Sequence, residues 1–200
     1  MSDGSPPRPA AAQAVLDFWF GPIDDPGHLA PRRQWFEKDP AFDASIGEHF
    51  APLIEASLAG ELAPWEAETG AALAQVIVLD QFPRNVYRGT RKAFAGDALA
   101  LAAAMRLVKS GVDRLLSGVQ RQFVYLPFEH AETLVAQQCS LALFEQLGRD
   151  DPSLAGLFDW ARRHHEIVAR FGRFPHRNAV LGRASTAEEL AFLQQPGSGF

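Results

Sequence analysis

The sequence uses one polar device twice: Phe82-Pro83-Arg84-Asn85 returns as Phe174-Pro175-His176-Arg177-Asn178 late in the chain. Arginine presents a planar fork of N–H donors suited to carboxylate or phosphate, and asparagine adds a donor and an acceptor beside it. Two such kits point to two sides of one anion-binding site, or to one structural corner used twice. In the structural alternative, each Phe-Pro step stops a helix. Each arginine then ties down carbonyls at that helix end, and each asparagine takes the left-handed turn beyond it. The copies lie 92 residues apart, no multiple of the roughly 34-residue tetratricopeptide period. They are not the trace of a simple tandem repeat.

A second polar group is Tyr125-Leu126-Pro127-Phe128-Glu129-His130-Ala131-Glu132. Proline is favoured at the first position of a helix, so Pro127 is predicted to open one running to Leu147, with Glu129 and Glu132 in its first turn. His130 would share a face with Leu134, Gln137 and Leu141, either as a satisfied core histidine or at a pocket wall. The only tyrosines, Tyr87 and Tyr125, border these segments. Further along, His164 shares a stripe with Trp160, Ile167 and Phe171 and points toward Arg173. The candidate ligand-binding residues are therefore Gln81, Arg84, Asn85, Tyr87, Tyr125, His164, Arg173, Arg177 and Asn178. Candidates for acid–base work are His130, Glu132, His176 and Asp80.

Other chemistries lack their residues. There is no His-Glu-x-x-His and no zinc-type Cys/His spacing, and the paired Glu-x-x-His of di-iron bundles is missing, so no metal is expected. No serine-nucleophile elbow or phosphate-cradling glycine loop occurs, and no cofactor is expected. Cys139, the single cysteine, reads as core, and its isolation fits a reducing cytoplasm. A net charge of -5 argues against nucleic acid as a partner. The longest apolar runs are too short to span a bilayer, and residues 1–9 lack the apolar stretch of a signal peptide. Nothing in the sequence sets an oligomeric state.

The elements that must position these residues are helical almost throughout, with no convincing period-2 run. Residues 1–9 are expected to be a disordered tail, 10–195 one all-α domain of about eight helices, and 196–200 a flexible end. Predicted helices cover Ala10 to Phe20, Asp39-Pro40 to Gly60 with a kink or break at Pro52, and Trp65 to Leu79. More follow from Ala98 to Lys109 with Asp97 as cap, from Pro127 to Leu147, and from Asp151-Pro152 to Phe171. A last one starts at the capping box Ser185-Thr186-Ala187-Glu188.

The chain closely resembles a widespread bacterial family known by a domain-of-unknown-function label and grouped with tetratricopeptide-like folds. The resemblance rests on Val15 to Gly21, Trp35-Phe36, Leu79 to Asn85, Tyr87-Arg88-Gly89, Ala93-Phe94-Ala95 and Asp97. It continues through Tyr125, Pro127-Phe128, His130, Glu132 and His164, then Phe171 to Asn178, Leu181-Gly182-Arg183 and Ser185-Thr186. It implies a tetratricopeptide-like all-α array and brings no known reaction. Two positions depart from the family pattern: Ala131 stands where serine is usual and Glu129 where methionine is common. A mechanism needing a hydroxyl at 131 is thereby ruled out.

The leading expectation is a small anionic ligand, carboxylate or phosphate, held where the two corners meet by Arg84, Arg177 and Arg173, with Asn85 and Asn178 orienting them. His130 or His176, near Glu132 or Asp80, would supply hydrolase- or lyase-like acid–base chemistry. The alternative is a non-catalytic module gripping a peptide tail. A third reading makes both corners purely structural.

Overall fold

The computed structural model describes residues 8–199. The expected tails fall partly on residues 1–7 and 200, outside the described residues. Arg8 is fixed, its guanidinium pairing with Glu68 at 2.9 Å. Nine α-helices and no strand occur among the described residues. The first, α1, spans Ala10–Phe20 and buries Val15, Leu16, Trp19 and Phe20. Asp39 caps α2 (Pro40–Leu58), accepting from the N–H groups of Ala41 and Phe42. Of the kink or break expected at Pro52, the break does not occur, and α2 is continuous across it.

The helix expected from Trp65 is a 3-10 turn at Ala63–Ala67, followed by α3 at Thr69–Val86. Glu68 caps α3 by accepting from Gly70 and Ala71. Every residue from Gly70 to Pro83 is buried, the signature of a helix surrounded on all sides. It packs against α1 and α2, and against α4 (Asp97–Ser110) and α5 (Gly118–His130). Phe82 joins the main core, its ring 5.7 Å from Trp19.

Pro83 does not stop α3, which runs on to Val86. Lacking an N–H, Pro83 leaves the Leu79 carbonyl without its usual helical donor. Gly96 approaches that carbonyl so closely that a Cβ built on it would lie 2.1 Å from the oxygen. This contact sets where α4 begins.

The helix expected from Pro127 to Leu147 is two helices. Pro127 lies inside α5, which a Ser117–Gln120 capping box opens and which ends at His130. A new cap, Thr133, starts α6 (Leu134–Asp150). His130 and Leu134 are thus on different helices. Then come α7 (Leu157–Phe171), α8 (Asn178–Leu181) and α9 (Ala187–Leu193). The last capping box uses Thr186 with Glu189, one residue later than expected. The second Phe-Pro step opens a 3-10 turn, Pro175–Arg177, leading into α8, so it starts structure rather than ending it. Cys139 is exposed, not core. No helix among the described residues is long and apolar enough to cross a membrane.

Because the Gly96 contact is with backbone, Gly96→Ala is expected to cost about 1–3 kcal/mol as an overpacking substitution. Urea unfolding measures this; a midpoint equal to wild type would show that the α3–α4 approach is not tight.

Candidate functional site

The two corners meet. Arg84 comes from the last turn of α3 and Arg177 from the turn before α8, and both reach Asp97, the first residue of α4. Nη1 of Arg84 lies 2.9 Å from Oδ1 of Asp97, and Nη1 of Arg177 donates to Oδ2 at 3.1 Å. The Phe94 ring centre is 5.7 Å from the Arg84 guanidinium and 4.7 Å from that of Arg177. Phe174 adds a second ring at 4.5 Å from Arg177, close enough for cation–π attraction. Each guanidinium keeps one buried nitrogen with no hydrogen-bond partner, Nη2 of Arg84 and Nε of Arg177. Burial and the neighbouring Arg84 lower the Arg177 guanidinium to about 10, so it stays charged at neutral pH.

Asp80, one turn before Arg84, lies beneath this pair. Its carboxylate accepts from Nδ1 of His130 at 2.8 Å and from Nε2 of Gln81 at 2.5 Å, and Arg84 Nη1 is 3.1 Å away. Burial works to raise the Asp80 carboxyl, but Arg84, His130 and Gln81 outweigh it and hold it well below the usual carboxylate range. An ionised carboxylate only accepts, so Nδ1 of His130 carries the hydrogen and Nε2 is its open nitrogen. Burial and Arg84 lower the His130 imidazolium against the opposing pull of Asp80.

The adjacent residue goes the other way. Burial, reinforced by the Asp80 charge, pushes Glu129 up to about 8. Its Oε1 lies 3.1 Å from Nδ1 of His164, which also donates to the Trp160 carbonyl at 2.9 Å. Burial lowers His164 to about 3 and His176 to about 4. The His130 and His164 rings are 6.3 Å apart, and Phe174 sits 5.5 Å from His164 and 5.7 Å from His176.

Of the sequence candidates, Asp80, Gln81, Arg84, His130, His164, His176 and Arg177 therefore come together. Glu132 is close by but occupied in holding the second corner. It accepts from the Phe174 N–H at 2.8 Å and from both terminal nitrogens of Arg183. Asn178 supports Arg183 and donates to Ser185, and Arg173 pairs with Glu189 at 2.7 Å. Asn85 turns away to Asp43, and Tyr87 reaches Glu55. Tyr125 is elsewhere too, donating to buried Asp113 at 2.6 Å and accepting from Arg121. Neither asparagine is left-handed, since Leu29 alone among described non-glycine residues has positive φ. Sequence reasoning missed Asp97, Phe94, Arg183 and the burial of Glu129.

No group of three or more His, Cys, Asp or Glu among the described residues is arranged to hold a metal ion. Two surface hollows open elsewhere, one by Asp113, Arg114 and Arg121, the other between Glu66, Thr69 and Arg106.

No curated protein matches the chain. A solved structure, that of a protein of unknown function from Agrobacterium tumefaciens, is similar at 40% identity and a TM-score of 0.81. The match covers 92% of this chain and 97% of that one. Residues 15–197 match the model of a family described as bacterial protein of unknown function (DUF924). With the doubled corner and its helical frame on that matched stretch, the chain belongs to this bacterial family.

Proposed function

We propose that the protein binds a small anion, a carboxylate or phosphate, between Arg84 and Arg177, and that His130 transfers a proton to or from the bound molecule. The observation that carries this reading is the pair of guanidiniums on one carboxylate, each with a buried N–H still unused. A buried donor left unpaired costs about 1–3 kcal/mol, and an oxyanion satisfies two at once. Asp80 fixes the His130 ring and its tautomer, as a base or acid needs. Glu129 stays a neutral carboxylic acid beside His164, so the ionised carboxylate next to His130 is Asp80. A peptide clamp is less well supported, because Arg177 is only 6% exposed. Cys139, exposed and unpaired, fits a cytoplasmic protein.

The anion reading is tested by thermal shift of wild type, Arg84→Lys and Arg177→Lys against a panel of carboxylates and phosphate esters. Lysine keeps the charge but loses the fork. At least one anion is expected to raise the wild-type midpoint by a few degrees and to have a much smaller effect on both variants. Equal responses in all three proteins would sink the proposal. Location is tested in intact cells: a membrane-impermeant maleimide is expected to label Cys139 only after lysis, and labelling before it would refute a cytoplasmic place.

Glu129 gives a pH signature. A carboxyl whose folded value is raised from 4.5 to about 8 destabilises the fold as pH climbs through that window, because the unfolded chain ionises first. Below 4.5 the effect vanishes, and at pH 7 it amounts to about 3 kcal/mol. Glu129→Gln, a neutral isostere, is expected to match wild type near pH 4 and to be more stable by about that amount at pH 7 in urea melts. A difference that does not change with pH would mean that Glu129 is ionised in the fold.

A further inference from the structure

The fixed charges around the corners cancel. Arg84, Arg177 and Arg183 are the cations, and Asp80, Asp97 and Glu132 are the anions, each within ion-pair distance of an opposite partner. Arg173 and Glu189 form a fourth balanced pair at the edge. An anion entering this buried cluster by itself would bring charge that nothing neutralises, and uncompensated charge in a poorly solvated site is strongly disfavoured. The cluster needs a partner cation that appears on binding.

We propose that the site takes a monocarboxylate together with one proton, the proton going to Nε2 of His130. This rests on the anion site argued above and names its substrate class and protonation. Two donor nitrogens without a partner, one on each arginine, match the two oxygens of a carboxylate. A phosphate dianion carries twice the charge and more acceptor oxygens than these donors and one imidazolium serve.

His130 is placed for the role because it is the histidine bonded directly to an ionised carboxylate, and Asp80 stabilises the imidazolium once it forms. The groups facing it come from every side. Helix α3 contributes Asp80 and Arg84, and α4 contributes Asp97 through its arginines. Helix α7 contributes His164, and the Pro175–Arg177 turn contributes His176 and Arg177. Helix α6 adds Gln137, an uncharged donor to the Glu129 carbonyl. In the free protein, burial, Arg84 and Arg177 all disfavour the imidazolium. A carboxylate on the two arginines offsets their field, and proton and ligand then favour each other reciprocally. His130 enters the complex as the acid.

The experiment is isothermal titration calorimetry with acetate, propionate and benzoate, and with inorganic phosphate, in Tris and in HEPES between pH 6.5 and 8. Expected for a monocarboxylate is uptake of one proton, read from the dependence of heat on buffer ionisation enthalpy. Its Kd should weaken about tenfold per pH unit above the free His130 value. The His130 ring signal in NMR should show its titration moving to higher pH on saturation. His130→Asn should bind far more weakly and with no proton uptake, whereas His176→Asn should keep both the affinity and the uptake. Carboxylate binding with no proton taken up, tighter binding of phosphate, or uptake that survives His130→Asn would overturn this inference while leaving the anion site standing. Absence of binding by every probe, with none of the wider anion panel stabilising the protein, would bring down both.

Discussion

The Asp97 carboxylate between two guanidiniums is the interaction on which the arrangement depends. One oxygen faces Arg84 and the other faces Arg177, so a single side chain joins the end of α3, the start of α4 and the turn before α8. A buried charge is tolerated only when paired, and here the pairing is shared. Removing Asp97 would leave two cations facing one another, with Asp80 serving Arg84 alone. Its placement is set one residue earlier, where Gly96 lies on the Leu79 carbonyl. That carbonyl is the one Pro83 leaves without a helical donor. The proline of the first corner thus fixes the carboxylate that receives its arginine.

The second corner reaches the same carboxylate by a different local route. Gly172 ends α7 in the left-handed conformation, and Phe174-Pro175 then begins a 3-10 turn. Glu132 holds that turn through the Phe174 N–H, and Arg183 braces it by donating to the Phe174 carbonyl. Like residues in unlike backbone settings converge because each arginine is long and each phenylalanine anchors it. Phe82 does so in the main core and Phe174 in a smaller cluster with Ile167 and Val168.

The doubled motif was legible in the sequence, but its convergence was not, because two sides of one site and one structural corner used twice leave the same residues in the chain. The local geometry was not legible either. Proline signals a helix boundary when the backbone decides, but α3 is buried on every side and its packing carries the helix past Pro83 for another turn. Pro127 misleads in the opposite sense, for it reads as a start and sits near an end. The true start at Thr133 is a plain N-cap hidden in a run that looks continuously helical. Asp97 was visible only as an acid ahead of a helix, where a cap is the ordinary reading. Nothing local announces that two arginines from distant segments will arrive there. Tyr125 shows the reverse: near the right residues in sequence, it faces Asp113 on another side of α5.

The end of α5 then explains why the acids behave differently. Glu129 and His130 are neighbours in sequence, so a helix sends them in different directions, one to His164 and the other to Asp80. Asp80 gains Arg84, His130 and Gln81 and stays ionised, whereas Glu129 gains burial and the Asp80 charge and stays protonated. Environments that drive two carboxyls apart are how one site holds an acid and an anion side by side at neutral pH. Position 131 fits the same logic, since its part is played by backbone. The Ala131 carbonyl accepts from Gln137 at 2.8 Å, and Gln137 also donates to the Glu129 carbonyl. The amide of one α6 residue thereby closes the open end of α5. A hydroxyl at 131 is not needed for that.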